Sequence, residues 1–174
     1  MLHISRANVL LYRESDLDGA AKEFEIALRL NRGSFRPANS VTYEAYLGFG
    51  QIAARQGRTE EATSYFERAT RLAPNSSTAY SALGAVYFPR REYAKAAEYF
   101  SQAVKVNPQD VIARFYLGSC KMQLGEYRDA AAQFRAARET DPTYSQAYEA
   151  EARALEATGD ATGASRVRSL VPVQ

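Results

Sequence analysis

The 174-residue sequence has little of the chemistry on which most enzyme active sites depend. It contains one cysteine, Cys120, and one histidine, His3. A single cysteine cannot form an intrachain disulfide and excludes a cysteine-based zinc site. Because the histidine lies in the first three residues, a Ser–His or Cys–His catalytic pair is nearly excluded as well. No glycine-rich phosphate loop occurs. We therefore expect no catalytic activity, no cofactor and no metal.

An excess of charge of one sign is also absent. Lys and Arg number 22 and Asp and Glu number 20, which gives a formal net charge of +2. The basic residues, such as Arg90-Arg91 and the row formed by Arg128, Arg135 and Arg138, are interleaved with acids. A phosphate-tracking stripe would show a net basic excess. We therefore expect no nucleic-acid partner.

Long apolar runs are lacking too. No stretch approaches the roughly 18 apolar residues that a membrane-spanning helix needs, so we expect no membrane insertion. The start, MLHISRANVLLYRESD, has only a short apolar burst and no small-residue cleavage site, unlike a signal peptide. We expect a cytoplasmic protein; the alternative is a fragment of a larger, exported or membrane-attached protein.

What the sequence does contain is a 34-residue repeat. The segments YFERATRLAPN (65–75), YFSQAVKVNPQ (99–109) and QFRAARETDPT (133–143) each carry Phe, Ala and Pro in one spacing. The positions that recur in three copies are Gly50, Gly84 and Gly118; Ala62, Ala96 and Ala130; Phe66, Phe100 and Phe134; Ala69, Ala103 and Ala137; and Pro74, Pro108 and Pro142. Such regularity over consecutive copies indicates a repeat architecture.

Each copy predicts two short amphipathic helices, because its apolar residues recur at spacings of three and four. Glycine and alanine fall where the two backbones approach most closely. The recurring Phe fills the gap between neighbouring pairs, and Pro ends the second helix. One pair is too small to bury its own faces, so the pairs must stack on one another.

This pattern resembles the tetratricopeptide repeat family, most strongly across residues 43–144. The resemblance implies an all-α solenoid of about five antiparallel helix pairs, wound as a right-handed superhelix whose concave face is lined by the first helices. We expect one domain over 1–174, with an atypical unit at 1–34, an insertion at 35–42, regular units at 43–76, 77–110 and 111–144, and an atypical terminal unit at 145–174.

Two departures from the repeat carry predictions. Pro89 should stop its helix near Tyr87, since an interior proline costs roughly 3 kcal/mol, and should displace the basic turn that follows. Arg168 stands where the other copies have Phe, which fits a terminal unit with nothing stacked beyond it.

The resemblance implies that a protein or peptide partner binds the concave face. The residues that map to that face, apolar in the middle and charged towards both ends, are Arg13, Leu47, Gln51, Arg55, Phe88, Ile112, Phe115, Tyr116, Ser119, Met122 and Arg153. Exposed rings and Met suit a peptide or helix. Some members of this family bind the C-terminal carboxylate of chaperone tails through Lys and Arg side chains. This sequence lacks Lys and Arg at the matching positions. Alternatively, Phe115 and Tyr116 only fill the angle between helices.

A second hypothesis from another class is a structural scaffold. The first helix is apolar and lacks a polar cap, so the solenoid ends could stack on further copies, as a homo-oligomer, or on the remainder of a larger protein. Cys120 is expected to be a buried structural thiol. The acidic pairs Glu60-Glu61 and Glu149/Glu151 are expected on second-helix starts or solvated faces.

Overall fold

The structure, a computed structural model, describes residues 2–31 and 39–172. Across these ranges the chain forms ten α-helices, one π-helical turn and no β-strand, which confirms the predicted all-α class. The elements are α1 (Leu2–Val9), the π-helical turn (Leu10–Glu14), α2 (Leu17–Asn31), α3 (Asn39–Arg55), α4 (Thr59–Leu72), α5 (Ser77–Tyr87), α6 (Tyr93–Val106), α7 (Val111–Gln123), α8 (Tyr127–Thr140), α9 (Ser145–Ala157) and α10 (Ala161–Arg168).

The insertion predicted at 35–42 lies partly outside the described residues, as do Met1, residues 32–34 of the first predicted unit and residues 173–174. Of that insertion, residues 39–42 form the first turn of α3, so this helix begins four residues before the predicted Tyr43. Val41 packs against the neighbouring core, which explains why the helix extends into this segment.

The chain divides into two compact units, residues 1–86 and 87–174. In unit 1, α1 packs on α2, α2 on α3, and α3 on α4. Its first core cluster joins α1, the π-helical turn, α2 and α3. That cluster consists of Ile4, Ala7, Leu11, Ala20, Phe24, Ala27, Ala45 and Ile52. The predicted second-helix residues of the first unit, Ala20, Phe24 and Ala27, are thus confirmed as core.

In unit 2, α6 packs on α7, α7 on α8, α8 on α9, and α9 on α10. The recurring Ala and Phe positions are buried here as they are in unit 1: Phe66, Phe100 and Phe134 are at most 2% exposed. A methyl group added at Gly118 would lie 2.8 Å from Cε1 of Phe134, and one at Gly50 would lie 2.4 Å from the same atom of Phe66. Glycine is therefore required by close approach, as the repeat predicts.

The turns after the first helices share one backbone closure. The amide that follows the turn donates to a carbonyl five residues earlier, and the residue before that amide has a positive φ. These closures are Arg58 to Ala53 at 2.8 Å, Glu92 to Tyr87 at 3.3 Å, Glu126 to Lys121 at 2.9 Å and Asp160 to Leu155 at 2.9 Å. The preceding residues are Gly57 (φ 73°), Arg91 (φ 61°), Gly125 (φ 78°) and Gly159 (φ 87°).

This geometry confirms one part of the prediction made for Pro89 and contradicts the other. Helix α5 does end at Tyr87, as predicted. The expected displacement of the basic turn is wrong, because Arg91 adopts the left-handed conformation of its glycine counterparts and the turn closes in the same way. An arginine with positive φ is uncommon, since its Cβ crowds the backbone there.

Candidate functional site

The predicted groove residues of unit 1 are largely occupied by contacts within that unit. Leu47 is buried, at 7% exposed, and offers little surface to a partner. The Tyr12 hydroxyl donates to Oε1 of Gln51. The Arg55 guanidinium donates to the Leu11 carbonyl at 2.5 Å and lies 5.5 Å from the Tyr12 ring. Gln51 and Arg55 therefore tie α3 to the π-helical turn, on which Arg13 is exposed.

These side chains border a polar cleft of about 350 Å³ in unit 1. Within it the Tyr43 hydroxyl lies 2.6 Å from the Ser76 hydroxyl, and burial raises the pKa of Tyr43 above its ordinary value. Small polar groups already paired with one another give a partner few contacts to gain. The residues around this cleft are Asn8, Tyr12, Tyr43, Glu44, Leu47, Gly48, Gln51, Ser76 and Thr78.

Unit 2 brings the predicted aromatic residues together along α7. The Tyr116 ring stacks on Phe100 with centroids 5.4 Å apart and meets Phe88 edge-on, also at 5.4 Å. Phe115 contacts Tyr116, Phe134 and Tyr144 at 5.9, 5.4 and 5.3 Å. Phe115 is thus half-buried and supports the helix packing, whereas Tyr116 keeps 38% of its surface exposed.

Ile112 lies one helical turn before Tyr116 on the same face of α7 and is 50% exposed. The two side chains form an exposed apolar stripe on a helix whose other face is core. We call Ile112 and Tyr116 the α7 stripe. Large exposed apolar side chains placed side by side mark interaction surfaces more reliably than a single one does.

Between α7 and α9 lies a cleft of about 210 Å³, which we call the α7–α9 cleft. Four of the predicted residues, Phe115, Ser119, Met122 and Arg153, line it together with three that the sequence reasoning missed. The missed residues are Gln123, Phe134 and Ala150. The Ser119 hydroxyl donates to the Phe115 carbonyl at 2.9 Å, so the lining is apolar except for Gln123 and Arg153.

The cleft lies where the aromatic residues of α7 face smaller or charged residues at the same repeat positions of α9. Counting 34 residues on from Tyr116 gives Ala150, and the same position is Gly48 and Ala82 in the two copies before α7, so a small residue is the rule there. The same step from Phe115 gives Glu149, whose side chain is about half exposed. With neither ring present on α9, the space beside Phe134 and Met122 stays open. The repeat register therefore held the signal that could have identified Ala150.

The rim of the cleft carries a chain of ion pairs between α9 and α10. Nε of Arg153 donates to Glu149 at 2.9 Å. Arg168 donates to Glu149 at 3.0 and 3.3 Å and to Glu156 at 2.5 and 3.1 Å. Hydrogen bonds from Arg168, and then from Arg153, lower the pKa of Glu149; those from Arg168 lower the pKa of Glu156. The polar Arg168 predicted for a terminal unit thus closes α10 on α9.

Glu151 corrects the expectation that the Glu149/Glu151 pair lies on a solvated face. Its side chain is fully buried, where the two preceding copies have Leu83 and Leu117. It accepts a hydrogen bond from Nε of Arg135 at 2.9 Å and another from Nε of Arg138 at 2.5 Å. Both carboxylate oxygens are thereby paired, as a buried charge requires.

Cys120 is confirmed as a buried thiol. It is fully inaccessible, and burial raises its pKa to about 12. In the described part of the chain, no three His, Cys, Asp or Glu side chains come together as a metal ion would require. The helices described there include none long and apolar enough to cross a bilayer.

Two models of the tetratricopeptide repeat match this chain, one over residues 7–77 and the other over residues 90–154. The chain belongs to the tetratricopeptide repeat family. A curated member of that family, anaphase-promoting complex subunit 3 of Schizosaccharomyces pombe, is 32% identical to it over 66 residues. The matched segment is 36% of this chain and 10% of the relative, so the chain corresponds to a small part of that protein.

Solved structures of this family have the same fold. One structure of MamA superimposes with a TM-score of 0.78 at 20% identity, covering 98% of this chain and 88% of that one. YrrB, a TPR protein with an unusual peptide-binding site, gives a TM-score of 0.73 at 25% identity, covering 97% and 82%. The predicted TPR-type α-solenoid is confirmed by these similarities. Proteins with this fold generally act in protein–protein interaction and do not catalyse reactions.

Proposed function

We propose that this chain is a non-catalytic module that binds a peptide or helix of a partner protein on the α7–α9 face of unit 2. The observation that supports this most directly is the α7 stripe beside the α7–α9 cleft. Tyr116 is held by rings on several sides and still exposes 38% of its surface. A ring fixed before binding loses little entropy when a partner covers it.

Apolar burial on this face contributes part of the affinity for a peptide. Ile112 has half of its surface left to bury, so covering it contributes roughly 1 kcal/mol, about half of what full burial gives. Tyr116 adds a comparable amount, and an apolar partner side chain in the cleft adds roughly 1.5–3 kcal/mol. YrrB, a protein of the same fold, has a peptide-binding site, which supports a peptide as the class of partner.

The test is selection of a random peptide library on the purified chain, followed by fluorescence anisotropy with the selected peptides. Tyr116→Ala should weaken binding about tenfold, a loss of about 1.4 kcal/mol. Tyr127 is a matched control, because it is also 38% exposed but lies at the start of α8, outside the cleft. Tyr127→Ala should leave the affinity within about twofold.

A second pair of substitutions, one on the α7–α9 face and one outside it, tests the same face without removing a stacked ring. Ile112→Ala should weaken binding, whereas Leu124→Ala, 41% exposed beyond the end of α7, should not. If no peptide is selected, or if the selected peptides bind all four variants equally, the α7–α9 face is not the binding surface.

Self-association is the second candidate, and it is supported by exposed apolar side chains on α1. Leu2 is 78% and Val9 is 42% exposed, although neighbouring Ile4 and Ala7 are core. An apolar helix face of this kind is stabilised when another surface covers it. Sedimentation velocity over a wide concentration range tests this: Leu2→Ser with Val9→Ser should abolish any concentration-dependent assembly. A wild-type chain that stays monomeric throughout rules out self-association.

A further inference from the structure

The guanidinium of Arg153 has free hydrogen-bonding capacity at the edge of the α7–α9 cleft. Its side chain is 68% exposed, and its hydrogen bond to Glu149 uses Nε. Neither of its two Nη groups makes a hydrogen bond to any residue that the structure describes. Two neighbouring N–H groups on a planar guanidinium fit the two oxygens of a carboxylate.

Glu149 does not depend on Arg153 for its charge partner. Arg168 reaches both of its oxygens, at 3.0 and 3.3 Å, from the other side. A partner carboxylate could therefore attract Arg153 away from Glu149 without leaving that residue unpaired. Of the side chains that line the cleft, Arg153 is the ionised one, so it sets the sign of charge that the cleft prefers.

The size of the cleft limits what enters it. At about 210 Å³ it is smaller than the 300–1,000 Å³ typical of pockets for whole small-molecule ligands. Its floor is made by Phe115, Met122 and Phe134. These dimensions fit one or two apolar side chains of a peptide whose backbone stays outside.

We propose that the α7–α9 cleft selects peptides in which an apolar side chain is accompanied by a nearby Asp or Glu that pairs with Arg153. This rests on the proposed function. The carboxylate is expected within about three residues of the apolar side chain, since an extended chain advances roughly 3.3 Å per residue. A side-chain carboxylate of an internal segment is favoured over a chain terminus, because one arginine is the whole cationic lining of the cleft.

The experiment is a parallel selection of one random library, with blocked peptide termini, on the wild type, Arg153→Glu and Arg128→Glu. Arg128 is an exposed arginine outside the cleft, so its reversal changes the net charge equally. The wild type and Arg128→Glu should enrich Asp or Glu near an apolar residue. Arg153→Glu should lose this enrichment and favour Lys or Arg.

Affinities of the enriched peptides supply the second measurement. A wild-type peptide should bind Arg153→Glu about tenfold more weakly, and changing its acidic residue to Lys should restore most of that loss. Arg153→Gln, which removes the charge without reversing it, should give about a threefold loss. Circular dichroism confirms that each variant is folded.

The outcomes separate the two proposals. Peptides that depend on Tyr116 but show no acidic enrichment, or that bind Arg153→Glu as well as the wild type, overturn the role of Arg153 alone. Enrichment that requires a free peptide C-terminus in a second, unblocked library shows a chain-terminus site and also overturns it. Peptides that ignore Tyr116 overturn the proposed function, and the preference with it.

Discussion

The buried carboxylate of Glu151 gives the sharpest test of how this repeat is stabilised. It occupies the position held by Leu83 and Leu117 in the two preceding copies, so two substitutions ask different questions. Glu151→Gln keeps the shape of the side chain and removes its charge. Glu151→Leu restores the apolar residue of the repeat and removes the need for any polar partner.

The expected magnitudes follow from the two arginines. A charge-assisted hydrogen bond contributes about 1.5–3 kcal/mol. Arg138 is 17% exposed and should supply an amount in this range, whereas Arg135 is 51% exposed and should supply at most about 1 kcal/mol after solvent screening. Glu151→Gln should therefore lower the free energy of unfolding by about 1.5–4 kcal/mol.

Glu151→Leu should cost less, although it removes both hydrogen bonds and glutamine can still accept one. The leucine gains roughly 1.5–3 kcal/mol from burial, and both arginine heads have some access to water. The expected net loss is about 0–2 kcal/mol. The predicted order of stability is wild type, then Leu, then Gln.

Urea unfolding followed by circular dichroism and by tyrosine fluorescence measures these differences, and agreement between the two probes tests for a single transition. Glu98→Gln, at an exposed glutamate on α6, is the control and should change stability by less than about 0.5 kcal/mol. A leucine variant less stable than the glutamine variant would refute the reasoning, because the hydrogen bond that the glutamine oxygen can still accept would then outweigh the apolar burial of leucine.

Three further predictions concern the turns, the terminal pair and the thiol. Arg91→Gly should stabilise the protein by about 1 kcal/mol and raise Tm by about 2–4 °C. Gly125→Ala should destabilise it by a similar amount through the backbone alone, since nothing lies within 4 Å of the added methyl group. Equal melting curves for both variants would contradict this. Arg168→Gln should lower Tm at neutral pH. The difference in Tm between the variant and the wild type should vanish as the pH falls through the lowered pKa of Glu149, because protonation removes the ion pair in the wild type as well. A difference in Tm that does not depend on pH would indicate a packing effect. The pKa of the native Cys120 thiol is raised from 9.0 to about 12. At pH 8 this thiol should therefore react with Ellman's reagent about a thousandfold more slowly in the native protein than in urea. Rapid labelling of the native protein would show that the thiol is accessible.

The fold was predictable because each regular copy repeats the same physical constraints. Phe66, Phe100 and Phe134 occupy equivalent positions and are equally buried, and Pro89 ends its helix where its missing amide requires. The early start of α3 was harder to predict from the sequence, since the segment before Tyr43 falls outside the repeat. Its helical structure is stabilised by the packing of Val41. Composition alone gives no reason to extend a helix into that segment.

Errors in the sequence reasoning came from treating residue type as stronger than repeat position. The expectation that Glu151 lies on a solvated face follows residue type, since glutamate is rarely buried, yet two regular copies hold the buried Leu83 and Leu117 at its position. The two arginines that pair with it lie 13 and 16 residues earlier on α8 and face it only once α8 and α9 have packed. The displacement expected after Pro89 is wrong for a similar reason, because Arg91 occupies the repeat position of Gly57 and Gly125 and keeps their left-handed backbone.

Comparing α7 with α9, position by position, separates architecture from recognition. Helix α7 presents Ile112, Phe115 and Tyr116; α9 presents Gln146, Glu149 and Ala150 at the same three positions. Phe115 is half-buried and packs on Phe134, but Ile112 and Tyr116 are exposed, so stability constrains the residue type less at those two positions. An apolar helix beside one that carries small and charged residues creates both a cleft and a rim of defined charge. A repeat protein can thus acquire a specific partner by changing a few outward positions in one copy while every stacking residue stays the same.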